Sequence, residues 1–478
     1  MVLAVLLVTG VPPAGAEGAA FRQPWPPFAN EPAPAASGTP ELNLAMDARG
    51  NAVAVWIEVD SGSNTLTLQT ASRPSRGQWS QAETLTQPFP AEDAFGEPGI
   101  GPVDLAVSRR GDVVVAWAQT AEGGGRMIEA ATRRRGGEWS TRAIALMPRF
   151  QQGRFALAGG PRGHALIAWT LAECPQGGCG PATSRTRAVE LRRDGSWSAP
   201  QLIFETAFQP EPRFAVDRRG GALAVWTEGP DVRYATRRRG GAWSAPDRIA
   251  VIGTWDRTRV LLAMNARGDA VALWTGLNTN DNDVGTAMIA ASVRPRGGAW
   301  SPAEILGTTI FTTFEEVAID ARGNALAIAQ YQTSPGGTDL SAITRPRNGR
   351  WSAPEALLNL RGMGSMEPAL AVNPRGEAVL GVTTRMQRLT PDDQCCTIDF
   401  TVQAMRRDAA GRWAAPQLLR ARDDWFAGRP LVAISDRAEA VLLWGETKAD
   451  GTESELHAAA APGRCALSLS PAGRGTCR

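Results

Sequence analysis

Histidine, lysine and tyrosine are almost missing from this 478-residue chain. It holds two histidines (His164 and His457), two tyrosines (Tyr234 and Tyr331) and one lysine, Lys448. With both histidines near repeated strands, neither a His-dependent nucleophilic triad nor a His-rich metal site is expected. No stretch reaches eighteen apolar residues, so no membrane-spanning helix is expected. No segment shows a helical period with caps. Fifty basic residues against 48 acidic ones leave a net charge of +2, which favours neither nucleic acid as a partner nor an acidic, disordered character.

What is present is a unit that returns eight times. A hydrophobic stretch ends in an Arg-Gly turn, and an alternating strand follows that usually ends in Trp. The turn glycines are Gly50, Gly111, Gly163, Gly220, Gly268, Gly323 and Gly376, and Arg437-Ala438 holds the eighth place. Spacings of 48 to 62 residues are those of propellers and solenoids. Residues 213–252 form the tidiest copy, with four strands joined by the Arg219-Gly220 turn, a short loop and the Gly240-Gly241 turn. Its fourth strand is expected to start at Trp243. Four antiparallel strands per unit predict an all-β propeller of eight blades, with seven as the alternative.

Tryptophan marks the register. Trp56, Trp117, Trp169, Trp226, Trp274 and Trp444 lie six residues after the turn position, and seven more from Trp79 to Trp413 occupy the second turn. Positions so fixed read as packing between blades. An arginine stands six residues before the second-turn Trp in six units, including Arg133 and Arg237, as a cross-strand stacking partner. In the third unit the nearest is Arg192. The competing reading of Arg133-Arg134-Arg135 and Arg237-Arg238-Arg239 is a basic patch for polyanions. Their recurrence with the fold favours the structural one.

The eighth unit lacks a fourth strand with a Trp. Residues 21–28 are expected to supply it, because Trp25 precedes Trp56 by the 31 residues that separate Trp243 from Trp274. The competitor is Ala466-Leu467-Ser468-Leu469. Residues 1–16 read as a secretory signal without its basic start, 17–461 as one propeller and 462–478 as a tail. A secreted or cell-surface protein follows. Six cysteines agree with export, Cys174 with Cys179 and Cys465 with Cys477 being the expected disulfides. Cys395 and Cys396 are a vicinal pair or free thiols.

The second turn, fullest in Arg193-Asp194-Gly195-Ser196-Trp197-Ser198-Ala199-Pro200, resembles the Asp-box (BNR) repeat of bacterial sialidases and related propellers. In that family the box is structural. Sialidase catalysis would also need an arginine triad, a Tyr-Glu nucleophile pair and an Asp acid/base, and these do not map onto matching motifs here.

Loop lengths vary on one face of the expected ring, the face of the second-to-third-strand and blade-to-blade loops, and binding sites favour such loops. The tryptophans outside the repeat and its closure, Trp255 and Trp425, fall there beside Asp256 and beside Asp423 and Asp424. An indole with carboxylate neighbours suits a sugar. Residues 278–283 read as a polar hairpin loop. Calcium held by Asn280, Asp281 and Asp283 is the alternative, and no other cofactor is expected. The expected function is a non-catalytic propeller recognising a glycan or a protein. The alternative is a glycoside hydrolase on a sialidase-like scaffold.

Overall fold

The computed structural model describes residues 26–34, 41–92, 99–121, 125–147, 153–173, 183–251, 259–278, 286–309, 313–334, 337–361, 364–389, 396–422, 425–451, 453–463, 467–468 and 476–477. Among them there is no helix. Eight antiparallel sheets follow one another along the chain as the blades of a propeller. Blade 4 shows the plan: Arg213–Val216, Ala222–Glu228, Asp231–Arg237 and Asp247–Val251 pair in sequence order. First strands are innermost. Each touches the first strand of the next blade, and the eighth returns to the first.

The turn between first and second strands is the same device in seven blades, while blade 3 has Gly160 in the acceptor's place and keeps only the backbone bonds. In blade 4 the buried Asp217 carboxylate accepts the N–H groups of Arg219 (2.7 Å) and Gly221 (2.8 Å), and Gly220 takes a φ of 83°. Asp47, Ser108, Asn265, Asp320, Asn373 and Ser435 hold the same place elsewhere. A left-handed residue is needed three positions on, which is why glycine recurs. Ala438 meets that demand with a φ of 63°.

The second turn explains its own motif. Ser244 donates its backbone N–H to Thr236 O (2.8 Å), and its hydroxyl accepts the Thr236 N–H (3.0 Å). Ser80, Ser198, Ser301 and Ser352 repeat this contact. Trp243 pairs with Arg237 as an isolated bridge, so the fourth strand starts at Asp247 rather than at Trp243. Pro246 has no N–H to continue the ladder. Blade 2, with Arg142 in that place, runs unbroken over Trp139–Met147.

Arginine and tryptophan meet as the spacing predicts. Arg133 pairs with Trp139 and Arg407 with Trp413. The guanidinium lies 4.5 Å from the ring at Trp139 and 5.7 Å at Trp243. In blade 3 the partner of Trp197 is Leu191, not Arg192. The second-strand tryptophans are buried against the preceding blade, as Trp117 is against Val53 and Val55. Four indole N–H groups find an acceptor two residues on, Trp444 donating to Glu446 Oε1 at 2.9 Å.

The ring is closed from the N-terminus, but by Ala29–Glu31, which pairs with Ser454–Ala461. This corrects the expected span of 21–28: residues 21–25, Trp25 included, lie outside the described residues, and Phe28 enters the core just before the strand. The competitor, Leu467–Ser468, pairs instead with Thr476–Cys477. The first strand of blade 8 comes in two pieces, Trp425–Ala427 and Leu431–Ile434, with Pro430 between them.

Candidate binding site at the channel mouth

The innermost strands run from the variable loops to the regular turns, so the ring has two unlike mouths. At the loop end, four residues before the turn, they carry Asn43, Asp104, Arg213 and Glu316 in blades 1, 2, 4 and 6. The first three bind the backbone of the next blade. Asn43 Nδ2 donates to Val103 O (2.9 Å), Asp104 Oδ2 accepts from Leu157 N (3.0 Å), and Arg213 Nε donates to Val260 O (3.3 Å). Glu316 pairs with Arg429, whose Nε also donates to Pro368 O at 2.8 Å.

Further charges join these into a network. Arg154 pairs with Glu211, which stands 4.0 Å from Arg213, and Arg259 stands 3.7 Å from Glu315. Burial drives the Asp104 carboxyl up to about 6, and Glu41 adds to the rise against the Leu157 N–H and Arg213. Burial likewise pushes Glu316 up to about 7, outweighing the pull of Arg429 and Arg259. Both groups hold a proton far closer to neutral pH than an ordinary carboxyl does. Arg213 is pulled down by burial and by Arg259.

A pocket of about 340 Å³ opens between blades 3 and 4, lined by Arg154, Phe155, Thr170, Glu211, Arg213 and Phe214. Its size falls in the range of small-ligand sites. Two guanidinium groups can face an anionic or hydroxylated ligand, and two aromatic residues supply apolar surface beside them. Glu211-Pro212 shares its dipeptide with Glu97-Pro98 and Glu367-Pro368 and so reads from sequence as scaffold. Its pairing with Arg154 and Arg213 puts it in this site.

Of the residues singled out from sequence, Trp255, Asp256, Asp423, Asp424, Asn280, Asp281, Asp283, Cys174, Cys179, Cys395 and Cys465 lie outside the described residues. Trp425 is described. It is half-buried, it pairs with Lys448, and the Arg422 guanidinium covers its ring at 4.3 Å. Arg422 leads on to a cluster that sequence spacing did not reveal. Its Nη1 is 3.0 Å from Glu455, while His457 Nε2 lies 3.1 Å from Glu455 and 3.2 Å from Glu446. Burial works to raise Glu446, but hydrogen bonds from His457 and the Trp444 indole hold it below the usual range. The ligand atoms of Glu446, Glu455 and His457 lie within 4.8 Å of one another, a spacing open to a metal ion. Arg420 and Arg422 already balance the two carboxylates, which opposes a cation there.

Neither tyrosine offers a sialidase-type nucleophile. Tyr234 donates to Asp247 Oδ2 at 3.0 Å on the outer strands of blade 4. Tyr331 is buried beside Gly307 of the preceding blade, which pushes its hydroxyl up to about 12.

No known family profile matches the chain, and no curated protein shows significant similarity. Solved structures do align with it. A PL25 ulvan lyase bound to -[GlcA(1-4)Rha3S]- is 9% identical at a TM-score of 0.44, over 73% of this chain and 90% of that one. Prolyl oligopeptidase B from Galerina marginata gives 9% and 0.43, over 87% and 56%. The α-L-arabinofuranosidase Arb93A from Fusarium graminearum gives 10% and 0.36, over 64% and 92%. All three TM-scores are below 0.5, and none identifies the ligand or reaction of this chain.

Proposed function

We propose that the protein is a non-catalytic recognition propeller that takes an acidic saccharide at the loop-side mouth of its channel, working outside the cell or at its surface. The observation behind this reading is the pocket between blades 3 and 4. There the Arg154 side chain is 74% exposed, and Arg213, Phe155 and Phe214 stand beside it. A guanidinium presents a fork of donors to a carboxylate or a pair of hydroxyls, and an aromatic face suits the C–H side of a sugar ring. Trp425, on the same face of blade 8, belongs to a separate subsite. A glycan array probed with the wild-type protein and with Arg213→Ala tests the proposal. Selective capture of short uronate- or sulfate-bearing oligosaccharides, lost in the variant, supports it, and equal signals from both proteins reject it.

Glycoside hydrolysis is the second reading, and one observation favours it. Asp104 and Glu316 hold protons up to about pH 6 and 7, as a general acid must. Incubation with the glycans that bind, followed by assay of new reducing ends, decides between the two. Cleavage abolished by Glu316→Gln establishes the hydrolase. Intact glycans leave the binding reading.

A further inference from the structure

The opposite mouth, formed by the regular turns, has a different character. An arginine immediately precedes the turn glycine position in all eight blades, from Arg49 in blade 1 to Arg437 in blade 8. All eight are exposed, and none of their guanidinium groups has a hydrogen bond or ion-pair partner among the described residues. Arg109 and Arg218 double the charge in blades 2 and 4. Asp436 at the tip of blade 8 is bound by Arg109, with Nη1 to Oδ1 at 2.8 Å, while turn carboxylates such as Asp47, Asp217 and Asp320 are buried and accept hydrogen bonds within their own turns.

The surface is concave as well as basic. The eight turns surround a cavity of about 780 Å³, lined by Arg109, Arg110, Arg162, Arg218 and Arg267 together with Asp47 and Asp436. Two clefts between blades open on the same face, because the second turns point the same way. One, of about 270 Å³, lies between blades 2 and 3 and is reached by Arg110, Arg134, Arg162 and Arg192. The other, of about 720 Å³, lies between blades 4 and 5 and is reached by Arg219, Arg238, Arg239 and Arg296. The whole chain carries only +2, so this excess is a segregation of charge onto one disc. A radial repeat turns a residue that recurs in sequence into a cluster in space.

We propose that the turn face binds an anionic polysaccharide, its sulfate or carboxylate groups lodging in the arginine-lined cavity and clefts. Guanidinium forks match both groups in a bidentate way. A lipid surface fits less well, since the exposed large hydrophobic residues lie on outer strands, on loops and, for Phe426, at the loop-side end of blade 8, and not on these tips. Single-stranded nucleic acid would want exposed aromatic faces. The second-turn tryptophans are half-buried, and arginines cover Trp139 and Trp243. A rigid duplex would cross the disc in a straight line and reach few of the arginines, whereas a flexible polymer can follow the ring. This inference does not rest on the channel-mouth reading and concerns the other face.

Fluorescein-labelled heparin, titrated by anisotropy at low and at physiological salt, tests it. Wild type should bind, with affinity falling steeply as salt rises. A variant carrying Arg110→Gln, Arg162→Gln, Arg219→Gln, Arg267→Gln and Arg375→Gln should bind roughly tenfold or more weakly, with a shallower salt dependence. Its melting temperature serves as the folding check. Arg142→Gln with Arg248→Gln, on exposed outermost strands away from both mouths, should leave heparin binding intact. Equal binding by wild type and the turn-face variant overturns the proposal. Tighter binding of a DNA duplex or of phosphatidylserine vesicles than of heparin overturns the ligand class.

Discussion

Arg73 and Glu31, 42 residues apart in sequence, form a two-pronged ion pair across the seam that closes the ring, with Nε to Oε1 at 2.7 Å and Nη2 to Oε2 at 2.8 Å. Arg73 belongs to blade 1, and Glu31 ends the strand that completes blade 8. Glu439 of blade 8 reaches the same guanidinium at 3.1 Å. The N-terminal segment also holds blade 7, where Phe28 N donates to Gln417 Oε1 and Gln417 Nε2 returns a bond to Phe28 O, both at 2.8 Å. One short strand thus joins three blades.

Removing that clasp should open the ring. Arg73→Ala takes the shared cation from Glu31 and from the buried Glu439 carboxylate, which keeps only its bonds from the Ser75 hydroxyl and the Arg76 N–H, a loss of about 3 kcal/mol. Deleting residues 17–31 should cost more, since it also exposes the edge of Ser454–Ala461. Urea unfolding of both variants measures this. Midpoints equal to wild type would show that the seam does not depend on the N-terminal strand.

Ala438 alone occupies the left-handed turn position without being glycine. Ala438→Gly should therefore stabilise the protein by about 0.5–1 kcal/mol through relief of backbone strain. A lower unfolding midpoint would mean that the buried methyl contributes more than the strain costs.

Gly159 has a different reason for its size. A methyl group there would sit 2.5 Å from the Ala106 Cβ of the neighbouring innermost strand. Gly159→Ala should destabilise by roughly 1–3 kcal/mol through overpacking, readable as a drop in melting temperature. An unchanged melting temperature would show that the inner strands can move apart.

Asp104 and Glu316 set a pH dependence. Their folded pKa values, about 6 and about 7, lie above those of the unfolded chain. The folded state therefore binds more protons than the unfolded one between about pH 4 and pH 7, and their contribution to stability falls as pH rises through that window. Asp104→Asn with Glu316→Gln should flatten the curve of melting temperature against pH over that range. A curve of unchanged slope would place the dependence in other groups.

The scaffold was legible where one residue does the same work in every blade. The Arg-Gly turns, the Arg133–Trp139 type of pair and closure from the N-terminus could all be read before the coordinates. A row of alanines carries the same kind of signal: Ala45, Ala106, Ala158, Ala215 and their four counterparts each lie five residues before the turn glycine position. Neighbouring first strands approach closely near the axis, as Gly159 and Ala106 show, and small side chains allow it. Arg133 and Arg237 are parts of the repeat, as their spacing implies, but the turn-tip arginines such as Arg110 and Arg162 have no such stacking partner.

The channel-mouth network could not be read in this way. Its members lie up to 388 residues apart, from Glu41 to Arg429, and only the curl of the ring makes them neighbours. Asp104 stands where blade 3 has Ala156 and blade 5 has Leu261, so no pattern marks it. Glu211 was disguised by its likeness to Glu97 and Glu367. Trp425 stood out because it broke the repeat, yet the residues it leads to, Arg422, Glu455 and His457, are set by strand pairing rather than by spacing.

Calorimetric titration of an acidic oligosaccharide into wild type and into Arg154→Ala with Arg213→Ala measures whether the loop-side mouth is a saccharide site. Wild type should bind measurably and the double variant roughly tenfold or more weakly, with the five-fold turn-face variant retaining this short ligand. Undiminished binding by the double variant would contradict a saccharide site there.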